Sequence, residues 1–374
     1  MFNHSQAHEA QRASQPPWHR RSWRKRISLI ATPVIAIGLL IALLIWVLPS
    51  ALGASGGGAE PKGYVGLFQD NAVAVFDAST NHLIRTIPVP RGPHGLVITP
   101  DGRRVYVSSD GASTVSVIDT GTDKVTSNIE VGKTPHGLAI TPDGEYVLAG
   151  GFGTDQVSMI DTGTNQVIGR IPVAKPHNFA ISPDGRTAYV SSQKPGAPAL
   201  AVVNIEGKSL INSIPLDHTP RALNFSPDGS RLYFTQEGVK AVQVLDPATN
   251  HIVAQVPVGV SPHHPLLTPQ GNLGLVAVQG PGDLSIFDPV KTSVIASVPT
   301  GKQPHWIATS ADGRTAWVTD ELSNDVAVVD LGSHQVTAHI PIGNAPRKIA
   351  VQSARQSMGS AAPAALLSAL VVPN

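Results

Sequence analysis

Three observations predict an all-β fold built from seven copies of one unit. A Pro followed by His or Arg opens an apolar run at His94, His136, His177, Arg221, His263, His305 and Arg347, at spacings of 42, 41, 44, 42, 42 and 42 residues. A fixed period of this length marks a repeat architecture. Each unit also holds four short apolar runs separated by polar turns, the arithmetic of a four-stranded blade. Finally, the two ends of the array carry complementary fractions of a unit. The expected fold is a seven-bladed β-propeller over residues 62–352.

The unit around His136 illustrates the elements in order. His136-Gly-Leu-Ala-Ile-Thr141 reads as a first strand, and Pro142-Asp143-Gly144 as a turn in which Pro presets φ and Gly accepts a positive one. Glu145 to Ala149 is a second strand. Gln156-Val-Ser-Met-Ile160 alternates with period two and is a third. Asp161-Thr-Gly-Thr-Asn165 is a polar turn, and a fourth strand runs from Gln166 to Val173.

The turn pair recurs at Asp101-Gly102, Asp143-Gly144, Asp184-Gly185, Asp228-Gly229, Gln270-Gly271 and Asp312-Gly313. The third strand ends at Asp77, Asp119, Asp161, Asn204, Asp246, Asp288 and Asp330. These residues repeat in nearly every unit, so they are assigned to turn chemistry rather than catalysis.

Closure follows from the ends. Tyr64 to Val89 supplies strands two to four of a unit but no first strand, whereas Arg347 to Gln352 supplies a first strand with no successor. Joining them three plus one removes the free sheet edges that invite aggregation.

Val105-Tyr106-Val107, Val115-Ser-Val-Ile-Asp119, Ile171-Pro-Val173, Gly132-Lys-Thr-Pro-His136 and Ser182-Pro-Asp-Gly185 resemble YVTN-type, YncE-like propeller repeats. The resemblance spans about residues 62–352 and implies the fold. It implies no single activity, because the family is functionally diverse.

The N-terminus has a different character. Residues 1–26 carry Arg12, Arg20, Arg21, Arg24, Lys25 and Arg26 against one acid, Glu9. From Ile27 to Leu48 no side chain is charged. Such a run makes roughly 33 Å of helix against a bilayer core of about 30 Å. An uncleaved signal-anchor is expected at 27–48, with a cytoplasmic basic segment before it and an exported chain after it. Cleavage near Ala51-Leu-Gly53 is the alternative. Residues 49–61 form a Gly-rich tether, and residues 353–374 an Ala/Ser/Leu-rich tail too short in its apolar part to span a membrane. The expected location is therefore a single-pass membrane protein with its propeller periplasmic or at the cell surface.

Composition narrows the function. The chain has no Cys, which excludes disulfides, iron–sulfur clusters, thiolate metal sites and Cys catalysis. Setting aside the basic N-terminal segment, the formal net charge of +1 becomes about −4 on residues 27–374. The propeller lacks the concentrated positive footprint that nucleic-acid binding needs.

In a propeller the first strand of each blade lies nearest the axis, so all seven Pro-His and Pro-Arg positions should crowd one mouth of the central channel. Eight residues past each turn Gly lie Asp110, Phe152, Gln193, Glu237, Gln279 and Glu321, expected at the same mouth. Arg91, Lys133, Lys175, His218 and Lys302, just before the Pro-His pairs, are expected there as well.

Three readings of the ring stand side by side. The side chains could merely cap strands. Arg221 and Arg347, with His and Lys donors, could concentrate positive potential for an anionic small molecule, a polyanion or an acidic protein partner. The run His94, His136 and His177, or the pair His263 and His305 with His264, could ligate a transition metal or haem, as hub histidines do in the propeller of nitrous-oxide reductase. No motif requires a cofactor.

Lactonases of the phosphogluconolactonase type share a seven-bladed propeller with similar repeats, and Glu237 or Glu321 with His263 or His305 could be base and electrophile at the mouth. No nucleophile elbow, phosphate loop or zincin motif is present. The sequence thus favours a non-catalytic binding or scaffolding module over a metal-dependent redox protein or a hydrolase. Trp306 breaks the repeat and is expected to pack at a blade edge.

Overall fold

The computed structural model describes residues 61–352. The expected anchor at 27–48, most of the tether and the tail lie outside them. The described residues form 28 strands in seven four-stranded antiparallel sheets and no helix. Within each sheet the strands follow chain order from the axis outward, except in blade 1.

Blade 1 joins Lys62–Leu67, Ala72–Asp77 and His82–Pro88 to the C-terminal strand Pro346–Val351, which lies innermost. Tyr64 pairs with Ala350 and Val65 with Ile349. Lys62 N donates to Gln352 Oε1 at 3.0 Å, and Gln352 N to the Lys62 carbonyl at 2.9 Å. The three-plus-one closure read from the ends is therefore present. Blades 2 to 7 span 93–130, 135–172, 176–215, 220–257, 262–299 and 304–341. Observed strand limits differ from the expected ones by about a residue; the blade around His136 uses Pro135–Ile140, Tyr146–Gly151, Gln156–Asp161 and Gln166–Pro172.

The core is divided among seven inter-blade layers. Second and third strands are apolar at both parities because each face meets a different neighbour. Val105 and Val107 pack on Val73 and Val75 of blade 1, while Tyr106 between them packs on Val147 and Ala149 of blade 3. The last layer, where Trp317, Val326 and Val328 of blade 7 meet Val65, Ala74 and Phe76 of blade 1, seals the ring. Fully burying one aliphatic side chain stabilises by roughly 1.5–3 kcal/mol, so these layers outweigh any single turn contact.

Polar latches add register between blades. Tyr64 Oη donates to Asp123 Oδ1 at 3.1 Å, Tyr106 Oη to Asn165 Oδ1 at 2.7 Å and Tyr189 Oη to Asn250 Oδ1 at 2.6 Å. Each acceptor sits in the outer turn of the next blade, with φ of 52°, 56° and 57°. Asp and Asn tolerate that conformation better than most residues.

The repeated turn residues behave as read. Gly102, Gly144, Gly185, Gly229, Gly271 and Gly313 have φ between 67° and 76°. Asp119 Oδ1 accepts from Thr122 N at 2.8 Å and Asp161 Oδ1 from Thr164 N at 2.7 Å, closing their own turns.

Candidate functional site

The mouth is built by one device repeated seven times. Each innermost strand opens on Pro, and a register shift follows at once: Pro93 faces Ser109 while Leu96 faces Val107, so three steps on one strand match two on the other. The same irregularity recurs in every blade. A bulge re-aims the side chain it carries, and here that side chain is always the ring His or Arg. The residue before Pro has a positive φ in six blades: Gly92, Thr134, Lys175, Ser261, Gln303 and Ala345. The chain thus turns sharply into each innermost strand.

Hydroxyls on the second strands anchor the ring. Ser108 Oγ donates to the His136 carbonyl, Thr235 Oγ1 to that of His263, Ser191 Oγ to that of Arg221 at 3.1 Å and Thr319 Oγ1 to that of Arg347 at 2.7 Å. Each donor belongs to the blade before its acceptor. Close packing completes the seating: a Cβ on Gly137 would lie 2.1 Å from the His177 carbonyl oxygen.

All seven ring residues line one cavity of about 280 Å³, together with Gln193, Glu237, Gln279 and Glu321 from the second-strand loops. Thr219 and Gln303, the residues before Pro in blades 5 and 7, complete the lining. Asp110 and Phe152 flank His136 instead: Asp110 Oδ2 is 3.6 Å from His136 Nε2, and the Phe152 ring centroid is 6.1 Å from that of His136. The cations Arg91, Lys133, Lys175, His218 and Lys302 are not among the lining residues. Lys175, itself the positive-φ residue before Pro176, pairs instead with Asp155 at 3.2 Å.

The ring is not uniform. His94, His136 and His177 form a packed run, with successive ring centroids 3.6 and 4.1 Å apart. His263 and His305 form a pair at 4.2 Å. The two arginines separate run from pair, and both are engaged. Arg347 donates from Nε and Nη2 to Glu321 Oε1 at 3.2 and 3.0 Å and lies 3.7 Å over the Phe68 ring. Arg221 Nη1 donates to Ser261 Oγ at 3.0 Å and Gln279 Oε1 at 3.3 Å.

Burial keeps the imidazoles neutral. It lowers His177 to about 4 and His263 to about 3, and holds His94, His136 and His305 well below the ordinary histidine value. Nearby positive groups add to the effect. The potential expected from seven cationic donors is therefore smaller than the sequence implied: near neutral pH the ring's charge rests on the two guanidiniums. Desolvation pushes Asp110 the other way, up to about 7.

One imidazole has its tautomer set by backbone: His263 Nδ1 donates to the His305 carbonyl at 3.0 Å, which leaves its Nε2 with a lone pair. His177 Nδ1 lies between the Asn178 amide nitrogen at 2.9 Å and the Arg221 carbonyl at 3.3 Å. Nδ1 of His94, His136 and His305 has no hydrogen-bond partner among the described residues.

Beneath the ring lies a second layer. Trp306 stacks on His264, with centroids 3.7 Å apart and planes 16° apart. Lys348 Nζ sits 4.2 Å over the Trp306 ring and donates to the Leu138 carbonyl of blade 3 at 3.3 Å. Lys348 and His264 are 3% and 2% exposed. Trp306 thus packs inside the channel under the ring rather than at a blade edge. Burial lowers Lys348 to about 7.

Among the described residues, no helix is long and apolar enough to cross a membrane. No curated protein matches the chain. Among solved structures, Kuenenia stuttgartiensis hydrazine synthase is similar at 22% identity and a TM-score of 0.67, over 71% of this chain and 91% of that one. A functionally unknown protein from Desulfotomaculum acetoxidans is similar at 16% identity and a TM-score of 0.69, over 79% and 99%. The dihydro-haem d1 dehydrogenase NirN, in complex with DHE, is similar at 18% identity and a TM-score of 0.60, over 77% and 64%. At these identities the likeness shows the fold alone. Residues 64–145 match the family model of the YNCE-like beta-propeller, and the ring of seven blades is the fold which that match implies.

Proposed function

We propose that the protein is a membrane-tethered, extracytoplasmic binding module that holds a small ligand in the His/Arg mouth. The observation that carries the reading is convergence: seven side chains from seven blades line one cavity of about 280 Å³. Pockets for small molecules start at about 300 Å³, so the size favours a small ligand over a polyanion or a docked protein segment. The tether is the uncharged run from Ile27 to Leu48 behind its basic flank.

The lining favours a polar ligand. Neutral imidazoles offer lone pairs and single donors, Gln193, Gln279 and Gln303 offer amides, and the guanidiniums are partly satisfied by Glu321 and Gln279. Glu237 and Glu321 also line the cavity, so lactone hydrolysis is the catalytic alternative. A tetrapyrrole belongs among the probes because one propeller of similar fold is described with DHE bound.

Thermal shift of the purified full-length chain tests the reading, using carboxylates, phosphates, lactones and haem as probes. At least one probe is expected to raise the melting temperature, and Arg221→Ala together with His263→Ala should abolish the rise. A panel without stabilisation, or a rise unchanged in the double variant, refutes the mouth. Protease added to spheroplasts, with any outer membrane removed, should digest the propeller; a propeller fully protected until the inner membrane is lysed refutes the topology.

A further inference from the structure

One side of the mouth has a geometry that strand capping does not account for. Asp110, in the loop after the second strand of blade 2, meets His136 of blade 3, with His94 of blade 2 packed on His136. One donor atom from each of the three residues lies within 4.8 Å of the other two.

Asp110 Oδ2 and His136 Nε2 are 3.6 Å apart. This is too long for a hydrogen bond. It is close to the spacing of about 3.4 Å between two ligands bound 2.0–2.2 Å from a tetrahedral ion. Glu321 differs in this respect, since it is taken by Arg347.

The three groups are held by backbone rather than by one another. Asp110 N donates to the Gly92 carbonyl at 2.9 Å, and the His136 carbonyl accepts from Ser108 Oγ. Yet Asp110 Oδ1 and His94 Nδ1 are buried and have no hydrogen-bond partner among the described residues. Buried polar atoms are nearly always satisfied, and a bound ion is one recognised explanation for those that are not.

We propose that His94, Asp110 and His136 form a binding site for one divalent first-row transition-metal ion. Two imidazoles and a carboxylate suit zinc, cobalt, nickel or iron. The cavity lined by His94 and His136 leaves room for a further ligand from solvent. The site rests on the reading of the mouth as a ligand site and names one ligand for it. His177, read in sequence as the third imidazole, is replaced in this set by Asp110, because the donor atoms that come within 4.8 Å of one another belong to His94, Asp110 and His136.

The test uses the full-length chain, stripped with a chelator and titrated separately with Zn²⁺ and Co²⁺. Elemental analysis after dialysis should find an ion retained by the parent chain and lost from Asp110→Asn and His136→Gln. Co²⁺ should give a visible d–d band that both variants lose, with affinity at least ~10-fold weaker, the lower end of what even outer-shell changes cost. His251→Gln, on the outermost strand of blade 5, should keep both ion and band. Circular dichroism and melting of each variant establish that the fold persists, and the near-isosteric Asp110→Asn guards against a folding artefact at His136. No retained ion in the parent, or an unchanged band and affinity in both variants, overturns the site. A probe from the thermal-shift panel that still binds Asp110→Asn while the parent takes no metal overturns this inference and leaves the mouth intact. Absence of both metal and probe binding removes the two together.

Discussion

Among the described residues Lys348 has no carboxylate partner; its ammonium meets one carbonyl and one indole face. Taking a cation out of water costs free energy that such contacts only partly return. Burial lowers the folded-state value from 10.5 to about 7. Between those values the unfolded chain keeps the proton and the folded chain has released it, so this residue makes stability rise with pH from about 7 to 10.5. Below about 7 both states are protonated and the penalty is constant. Lys348→Met should therefore be more stable than the parent at pH 7. Each tenfold difference in proton affinity between the two states corresponds to about 1.4 kcal/mol. The gap should thus narrow by a few kcal/mol as pH approaches 10.5. Urea unfolding at a series of pH values measures it, and a gap independent of pH would refute the assignment. The sequence offered no hint of this residue, because an apolar-run position occupied by Lys looks like any solvated strand end until the opposite side of the channel is known.

Within an element, the bulge decides where the functional side chain points. The spacing of the ring residues was legible because repetition alone reveals it, and the same holds for the turn Asp and Gly residues. The bulge was not legible, since register is a property of two strands and a single strand does not display it. Nor were the hydroxyl anchors, because Ser108, Thr235 and Thr319 read as ordinary strand residues. Phe68 escaped for a simpler reason: its blade has no turn Gly from which to count. It sits under Arg347 and edge-on to His94, with centroids 6.2 Å apart. The basic residues before the Pro-His pairs stop short of the cavity lining: Lys302 lies beside Gln279 and Gln303, and Lys175 Nζ donates to the Phe152 carbonyl at 3.2 Å. Seating of the inner strands makes a direct prediction. Gly137→Ala would put a Cβ 2.1 Å from the His177 carbonyl oxygen, so the strand must shift. A loss of ~1–3 kcal/mol, typical of overpacking, is expected in urea unfolding. A stability within ~0.5 kcal/mol of the parent, the range of an innocuous surface change, would show that the strands are not seated this closely.

At the scale of the molecule, stability is a property of a closed circle. Each inter-blade layer needs both neighbours, and the seventh exists only when the C-terminal strand is in place. A chain ending at Ala345 lacks that strand. It should lose a single cooperative melting transition and aggregate through the exposed edge of Lys62–Leu67. Retention of one sharp transition in calorimetry would refute this account of closure. The fold class, blade number and mode of closure were all readable from the repeat, because seven near-identical units over-determine them. The same closure sets a clock. Lys62 and its partner Gln352 are 290 residues apart in the chain. At the usual pace of synthesis of about 5–20 residues per second, the first blade waits roughly 15–60 s for its fourth strand. For that interval an apolar strand edge stands open on the nascent chain, and the first blade is the part of the fold longest exposed to wrong pairing.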